Sequence, residues 1–178
     1  MTEPGPAVHV EDPSCAVAHG AVPPPVAEKT LVAVFASPVA RYLLRYGADL
    51  GFRVILVEPD ADRRADFPYR DAEFAKTVPE LDGSTDVVAT DHHRPELGVL
   101  LRDALQTTTR WIGVLGNPRH EGPHVEMLRE LGVAEAEVAR VHRPVGLNIG
   151  SRTPPEIAIA TLAGLLADRN DRPGGFEF

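Results

Sequence analysis

Two glycine-containing turns carry the most suggestive chemistry in this sequence. One lies in Val145-Gly146-Leu147-Asn148-Ile149-Gly150-Ser151-Arg152-Thr153-Pro154-Pro155-Glu156. Gly146 and Gly150 allow positive φ or a close backbone approach. Thr153 suits an N-cap, Pro154 the first helical position, and Glu156 completes a capping box. A loop feeding such a helix start brings amide N–H groups and the positive end of a helix dipole together, beside Ser151 and Arg152, as an anion site requires. The same residues also read as a tight turn and an ordinary cap. The other turn is Gly113-Val114-Leu115-Gly116-Asn117-Pro118-Arg119. Gly116 follows an apolar run, Asn117 can cap a helix and Pro118 can begin it. Arg119 then offers a guanidinium to phosphate or carboxylate, or simply sits on the surface.

Histidines supply the remaining candidates. Asp91-His92-His93 follows an apolar run and can do acid, base or hydrogen-bonding work near neutral pH. Read without function, it is a solvated turn capped by Asp91 ahead of Pro95. His120 and His124 are four apart and would share a helix face. No third ligand is apparent, and Glu121 lacks the H-E-x-x-H placement, so a surface pair is expected and no metal site is assigned. No Ser-His-Asp set, P-loop or paired carboxylates stand out, and no catalytic residue is assigned.

Short apolar runs alternate with helical patterns. Strands are expected at 31–35, 53–57, 86–90 and 111–115. Ser37 and Pro38 start a helix that Gly51 ends. Residues 61–81 are polar and poorly periodic, a loop with one short helix at 71–75. Further helices are expected from Pro95 to Leu105, through Val125, Leu128 and Leu131, over 135–140, and from Pro154 to about Asp168. This alternation predicts an α/β fold: a doubly wound, mostly parallel, Rossmann-like sheet in three layers. Residues 1–29 read as a Pro-rich irregular arm, 30–170 as the domain and 171–178 as a flexible tail. In such sheets ligands lie beyond the carboxyl ends of the strands.

The first strand-to-helix turn is where a dinucleotide fold carries G-x-G-x-x-G. Here it reads Phe35-Ala36-Ser37-Pro38-Val39-Ala40, with neither central glycine. Glu58 falls where an acid would hold a ribose hydroxyl, though it also reads as a solvated strand end. One acid does not rescue the fingerprint, so the sequence argues against NAD(P).

At 178 residues the chain fits one domain with a real core. Its net charge of −8 argues against nucleic-acid or anionic-membrane partners. No apolar run is long enough to span a bilayer, and no signal peptide is expected. A lone cysteine, Cys15, reads as incidental and fits a reducing cytoplasm.

Three stretches resemble the C-terminal Rossmann-like domain of the XdhC/CoxI family, the accessory factors of xanthine dehydrogenase and related molybdenum hydroxylases. They are Trp111-Ile-Gly-Val-Leu-Gly-Asn-Pro-Arg119, Leu128-Arg-Glu-Leu-Gly132 and, above all, Val141-His-Arg-Pro-Val-Gly-Leu-Asn-Ile-Gly-Ser-Arg-Thr-Pro-Pro-Glu-Ile-Ala158. The resemblance runs from about Thr30 to Asp168. It implies a non-catalytic maturation factor that binds molybdenum cofactor (molybdopterin), protects it during sulfuration and delivers it to an apo molybdenum hydroxylase. A separate XdhC N-terminal-type protein, a cysteine desulfurase or a second copy of the chain are the further partners it suggests. Gly116, Asn117, Arg119, Gly146, Asn148, Gly150, Ser151 and Arg152 would form the anion end of the site. Asp91, His92 and His93 would stand near the pterin or metal end, with Ser37 and Glu58 at the first turn. The family commonly has G-A-G-H-V where this chain has Phe35-Ala-Ser-Pro-Val39, and T-H-D-H where it has Thr90-Asp-His-His93. Its N-terminal domain is not read in these residues. Two other readings stand beside this one: an NAD(P)-binding oxidoreductase, and a degenerate Rossmann-like assembly subunit that binds no nucleotide.

Overall fold

In a computed structural model, which describes residues 13–22, 28–117 and 122–175, six parallel strands run in the order β3-β2-β1-β4-β5-β6. The strands are β1 (Thr30–Val34), β2 (Arg53–Val57), β3 (Glu73–Ala75), β4 (Thr85–Ala89), β5 (Trp111–Val114) and β6 (Val141–His142). The helices are α1 (Pro13–Ala18), α2 (Pro38–Asp49), α3 (Ala61–Asp66), α4 (Leu97–Leu105), α5 (Pro123–Glu130), α6 (Glu135–Val138) and α7 (Pro154–Arg169). The doubly wound, three-layer expectation holds, and the order reverses between β1 and β4, where such folds place ligands.

The apolar runs form central strands because both faces are covered. Val32, Val34, Val87, Ala89, Ile112 and Val114 pack beneath α4 and α5 with Leu97, Leu101 and Leu128. The alternate residues Leu31, Ala33, Leu56 and Val88 pack on the other face with Leu43 and Leu44 of α2 and Leu162 and Leu165 of α7. One polar group interrupts this second layer. Asp86 is fully buried in β4, and its carboxylate takes Arg110 Nε at 2.7 Å and Arg169 Nε at 2.6 Å. Burial pushes this carboxyl up from its ordinary range, against the pull of Arg169 and Arg110. The pair fastens the end of α7 to the sheet.

Several local expectations change. The short helix is at 61–66, not 71–75: Asp60 caps it, accepting from the amides of Asp62 and Arg63 at 2.9 and 3.0 Å. Residues 73–75 are instead the edge strand β3, held by a two-bond Arg53–Glu73 pair and by the Glu58 amide on the Ala75 carbonyl. β6 is a sixth strand that two residues could not announce by periodicity; its His142 stacks on Trp111 with ring centroids 5.0 Å apart. The stretch expected to be an irregular arm contains α1, which carries exposed Cys15. Among the described residues, no helix is long and apolar enough to cross a membrane.

Candidate functional site

The first turn is closed by the chain's own side chains. Phe35 stands at the first glycine position and keeps a glycine-like backbone, φ +76°. A bulky residue there is strained, and its burial must hold it in place. The ring is fully buried, and the Arg94 guanidinium lies over it, 4.7 Å from the centroid. Arg94 reaches from the loop after β4 to Glu58, which follows β2. Its Nη2 donates to Glu58 Oε1 at 3.1 Å and its Nη1 to Oε2 at 3.3 Å. The same carboxylate accepts the amides of Ala36 at 2.8 Å and Asp60 at 3.0 Å.

An ion pair therefore bridges the end of β1, across the path a dinucleotide would take. Glu58 is 0% exposed, not the solvated strand end that was one reading of the sequence. Both its oxygens are satisfied, leaving no lone pair turned outward for a ribose. Ser37 does cap α2: its hydroxyl accepts the Ala40 amide at 3.0 Å and donates to Thr90 Oγ1 at 2.9 Å. Thr90 in turn donates to the carbonyls of Val34 and Phe35, pinning the turn. The Arg94 and Thr90 roles were not read from the sequence, since each depends on a partner more than thirty-five residues away.

The α7 start is a strong cap and a poor anion site. Pro154 and Pro155 have no N–H, and the Ile157 amide bonds the Thr153 carbonyl. The Glu156 carboxylate accepts the amides of Arg152 at 2.8 Å and Thr153 at 3.0 Å, which hold it below its ordinary range. The helix thus supplies its own anion, and the amides invoked from the sequence are already engaged. Gly146 serves packing: a Cβ there would lie 2.8 Å from backbone atoms of Ala160 and Thr161, and the Leu147 amide bonds the Ala160 carbonyl at 3.0 Å. Gly150 turns at φ +70° with open space around it. Asn148, Arg152 and Gly150 are exposed and Ser151 is half-buried.

The β5–α5 turn also differs from expectation. α5 begins at Pro123 with Gly122 as its N-cap, so Asn117 does not cap it. Arg119, Pro118 and His120 lie outside the described residues. Gly116 makes room for Arg143, which follows β6: a Cβ on Gly116 would come within 2.4 Å of Arg143 Nη2. Arg143 Nη2 also donates to the Asn117 carbonyl at 3.3 Å. Asp91 caps no helix; its carboxylate accepts the His93 amide at 2.9 Å in a local turn. The rings of His92 and His93 lie 4.0 Å apart. Burial, then His93 and Arg143, push His92 below its ordinary value, against an opposing hydrogen-bond contribution from Leu115. His124, in the first turn of α5, is buried, not the surface residue expected.

A cavity of about 490 Å³ lies between the first turn, α3 and the start of α7. Ala36, Ser37 and Pro38 form one wall, Pro154 and Pro155 another, and Tyr42 and Phe67 bring aromatic surface. Arg41 and Arg63 reach it from α2 and α3, and Asp66 brings a carboxylate. Neither Gly116 nor Arg152 lines it. Ser37 is the member of the expected site that does.

Sheet order defines a Rossmann-type domain in which a buried Glu58–Arg94 pair stands beside the first turn. The chain belongs to the XdhC family: the model of the XdhC Rossmann domain matches residues 31–165. It is 34% identical over 155 residues to YqeB, an uncharacterised protein of Escherichia coli K12, covering 82% of this chain and 28% of that one. A crystal structure described as a xanthine dehydrogenase from Bacillus halodurans shares the fold, with TM-score 0.63 and 22% identity over 84% of this chain and 45% of that chain. The chain thus spans less than half the length of either relative.

Proposed function

We propose that this chain is a non-catalytic accessory factor that holds the molybdenum cofactor of a xanthine-dehydrogenase-type hydroxylase in the cytoplasm, with the cavity beside the first turn as the cofactor's seat. The observation that carries the reading is the chemistry of that cavity. Its volume of about 490 Å³ suits a pterin-sized ligand. Tyr42, Phe67 and the prolines offer flat apolar surface for a ring system. Arg41 and Arg63 form no ion pair among the described residues and suit a terminal phosphate. Asp66 is an acceptor for the amino-pyrimidinone edge of a pterin. When bound, the group carries a redox-active molybdenum; the chain's own residues would bind it, orient it and shield it.

The closed first turn speaks against hydride transfer from NAD(P). It also favours a second reading, an assembly subunit that binds no cofactor. One titration separates these. Isolated molybdopterin, kept anaerobic, is expected to bind the full chain and to bind Arg41→Ala/Arg63→Ala protein at least about tenfold more weakly. Arg152→Ala should bind as the parent does. Equal affinity of parent and double variant would defeat the cavity as the seat, and no binding to either would favour the assembly subunit.

A further inference from the structure

We propose that the recess between the loop after β6 and the C-terminal half of α7 is a binding site for a small planar organic anion of the aromatic-carboxylate class. The recess is a cavity of about 270 Å³. Trp111 and His142 line it from the sheet, Gly146 and Leu147 from the loop, Leu165 from α7 and Arg172 from beyond that helix. Such a volume lies just below the range for drug-sized ligands and suits one or two fused rings. The recess shares no lining residue with the cavity beside the first turn, so it stands or falls apart from the cofactor reading.

Two features prescribe the chemistry of the ligand. The first is a flat aromatic surface. Gly113 leaves room for the Trp111 indole to lie over β5: a Cβ there would come within 2.2 Å of Trp111 Cη2. His142 is the neighbour of Gly113 across β5 and β6, and it stacks on the indole with planes 5° from parallel. A ligand ring gains by stacking on such a pair or meeting its edge. Opposed glycines set the loop against the helix: a Cβ on Gly164 would lie 2.9 Å from the Gly146 Cα, so the loop rests directly on α7. The second feature is an uncommitted positive charge. Among the described residues the Arg172 guanidinium makes no ion pair. Asp168 also borders the recess, but Arg110 holds its carboxylate. A guanidinium fork pairs with a carboxylate through two parallel hydrogen bonds, and an aromatic carboxylate joins that group to a ring.

The chain has one tryptophan, so a single indole N–H resonance reports on this recess. The test titrates the full chain with benzoate and follows that resonance by NMR. Benzoate should move it saturably, with a dissociation constant in about the millimolar range, as befits so small a ligand. Cyclohexanecarboxylate keeps the charge and loses the aromatic ring; benzamide keeps the ring and loses the charge. Each should bind at least about fivefold more weakly than benzoate. Arg172→Ala should weaken benzoate at least about tenfold. Arg172 is exposed, so that variant is expected to fold. A resonance that does not move overturns the site, as does one that moves equally with acetate at matched concentration. Equal affinity of parent and Arg172→Ala protein for benzoate overturns it too.

Discussion

At Glu58 a carboxylate is used for internal pairing. An acid after the second strand of a Rossmann fold is placed to meet a ribose. Here Arg94 and two backbone amides have taken its lone pairs. Removing one partner of such a buried pair leaves an uncompensated charge. Arg94→Ala is therefore expected to cost about 3–5 kcal/mol in urea denaturation, while Glu58→Gln/Arg94→Met should recover part of the loss. His92 and His124 set a pH dependence whose sign is fixed. Both sit below their ordinary value of 6.5 in the folded chain, with burial the largest cause. Protonation thus favours the unfolded state. Their contribution is full above 6.5 and is lost as pH falls from there toward the lower folded-state values. The urea midpoint should drop between about pH 7.5 and about pH 5.5, and His124→Phe should flatten part of that drop.

Among the elements, α7 and its leading loop show how one motif serves packing more than binding. Thr153, Pro154, Pro155 and Glu156 start the helix cleanly, and Gly146 lets the loop lie on its flank against Ala160. Gly146 and Gly150 both have positive φ, but their surroundings differ. A methyl group at Gly146 meets backbone at 2.8 Å; at Gly150 it meets nothing within 4 Å. Gly150→Ala should cost about 1 kcal/mol, the backbone penalty alone. Gly146→Ala should cost at least about twice that in the same thermal or urea assay, because helix and loop must also separate. Equal losses would mean that the loop does not depend on its contact with α7.

For the whole molecule, the sheet order is that of a dinucleotide fold while the Glu58–Arg94 pair stands at the end of β1. Restoring the fingerprint in sequence should not restore binding. Phe35→Gly/Ser37→Gly protein is expected to show no saturable NADH fluorescence response, since Glu58 and Arg94 would still span the end of β1. It should also be less stable by about 2–4 kcal/mol, the lost ring burial outweighing the relieved backbone strain. Saturable micromolar binding by the double variant would show that glycine loss alone closed the crevice.

Much of the architecture was written locally, in features that need no distant partner. Apolar runs bounded by turns specify buried parallel strands, and Ser37-Pro38 and Thr153-Pro154-Pro155-Glu156 specify helix starts, because hydrophobic period and capping act within a few residues. The family motif is legible for the same reason. Tertiary structure alone decided which polar groups remained available. The Glu58 carboxylate was taken by Arg94 from across the sheet, the Asp86 carboxylate by Arg110 and Arg169, and the Gly116 turn by Arg143. It also built the cavity from α2, α3 and α7, whose wall residues lie more than a hundred positions apart. A side chain's chemistry is set by its neighbours, and those neighbours are assigned only when the chain has folded.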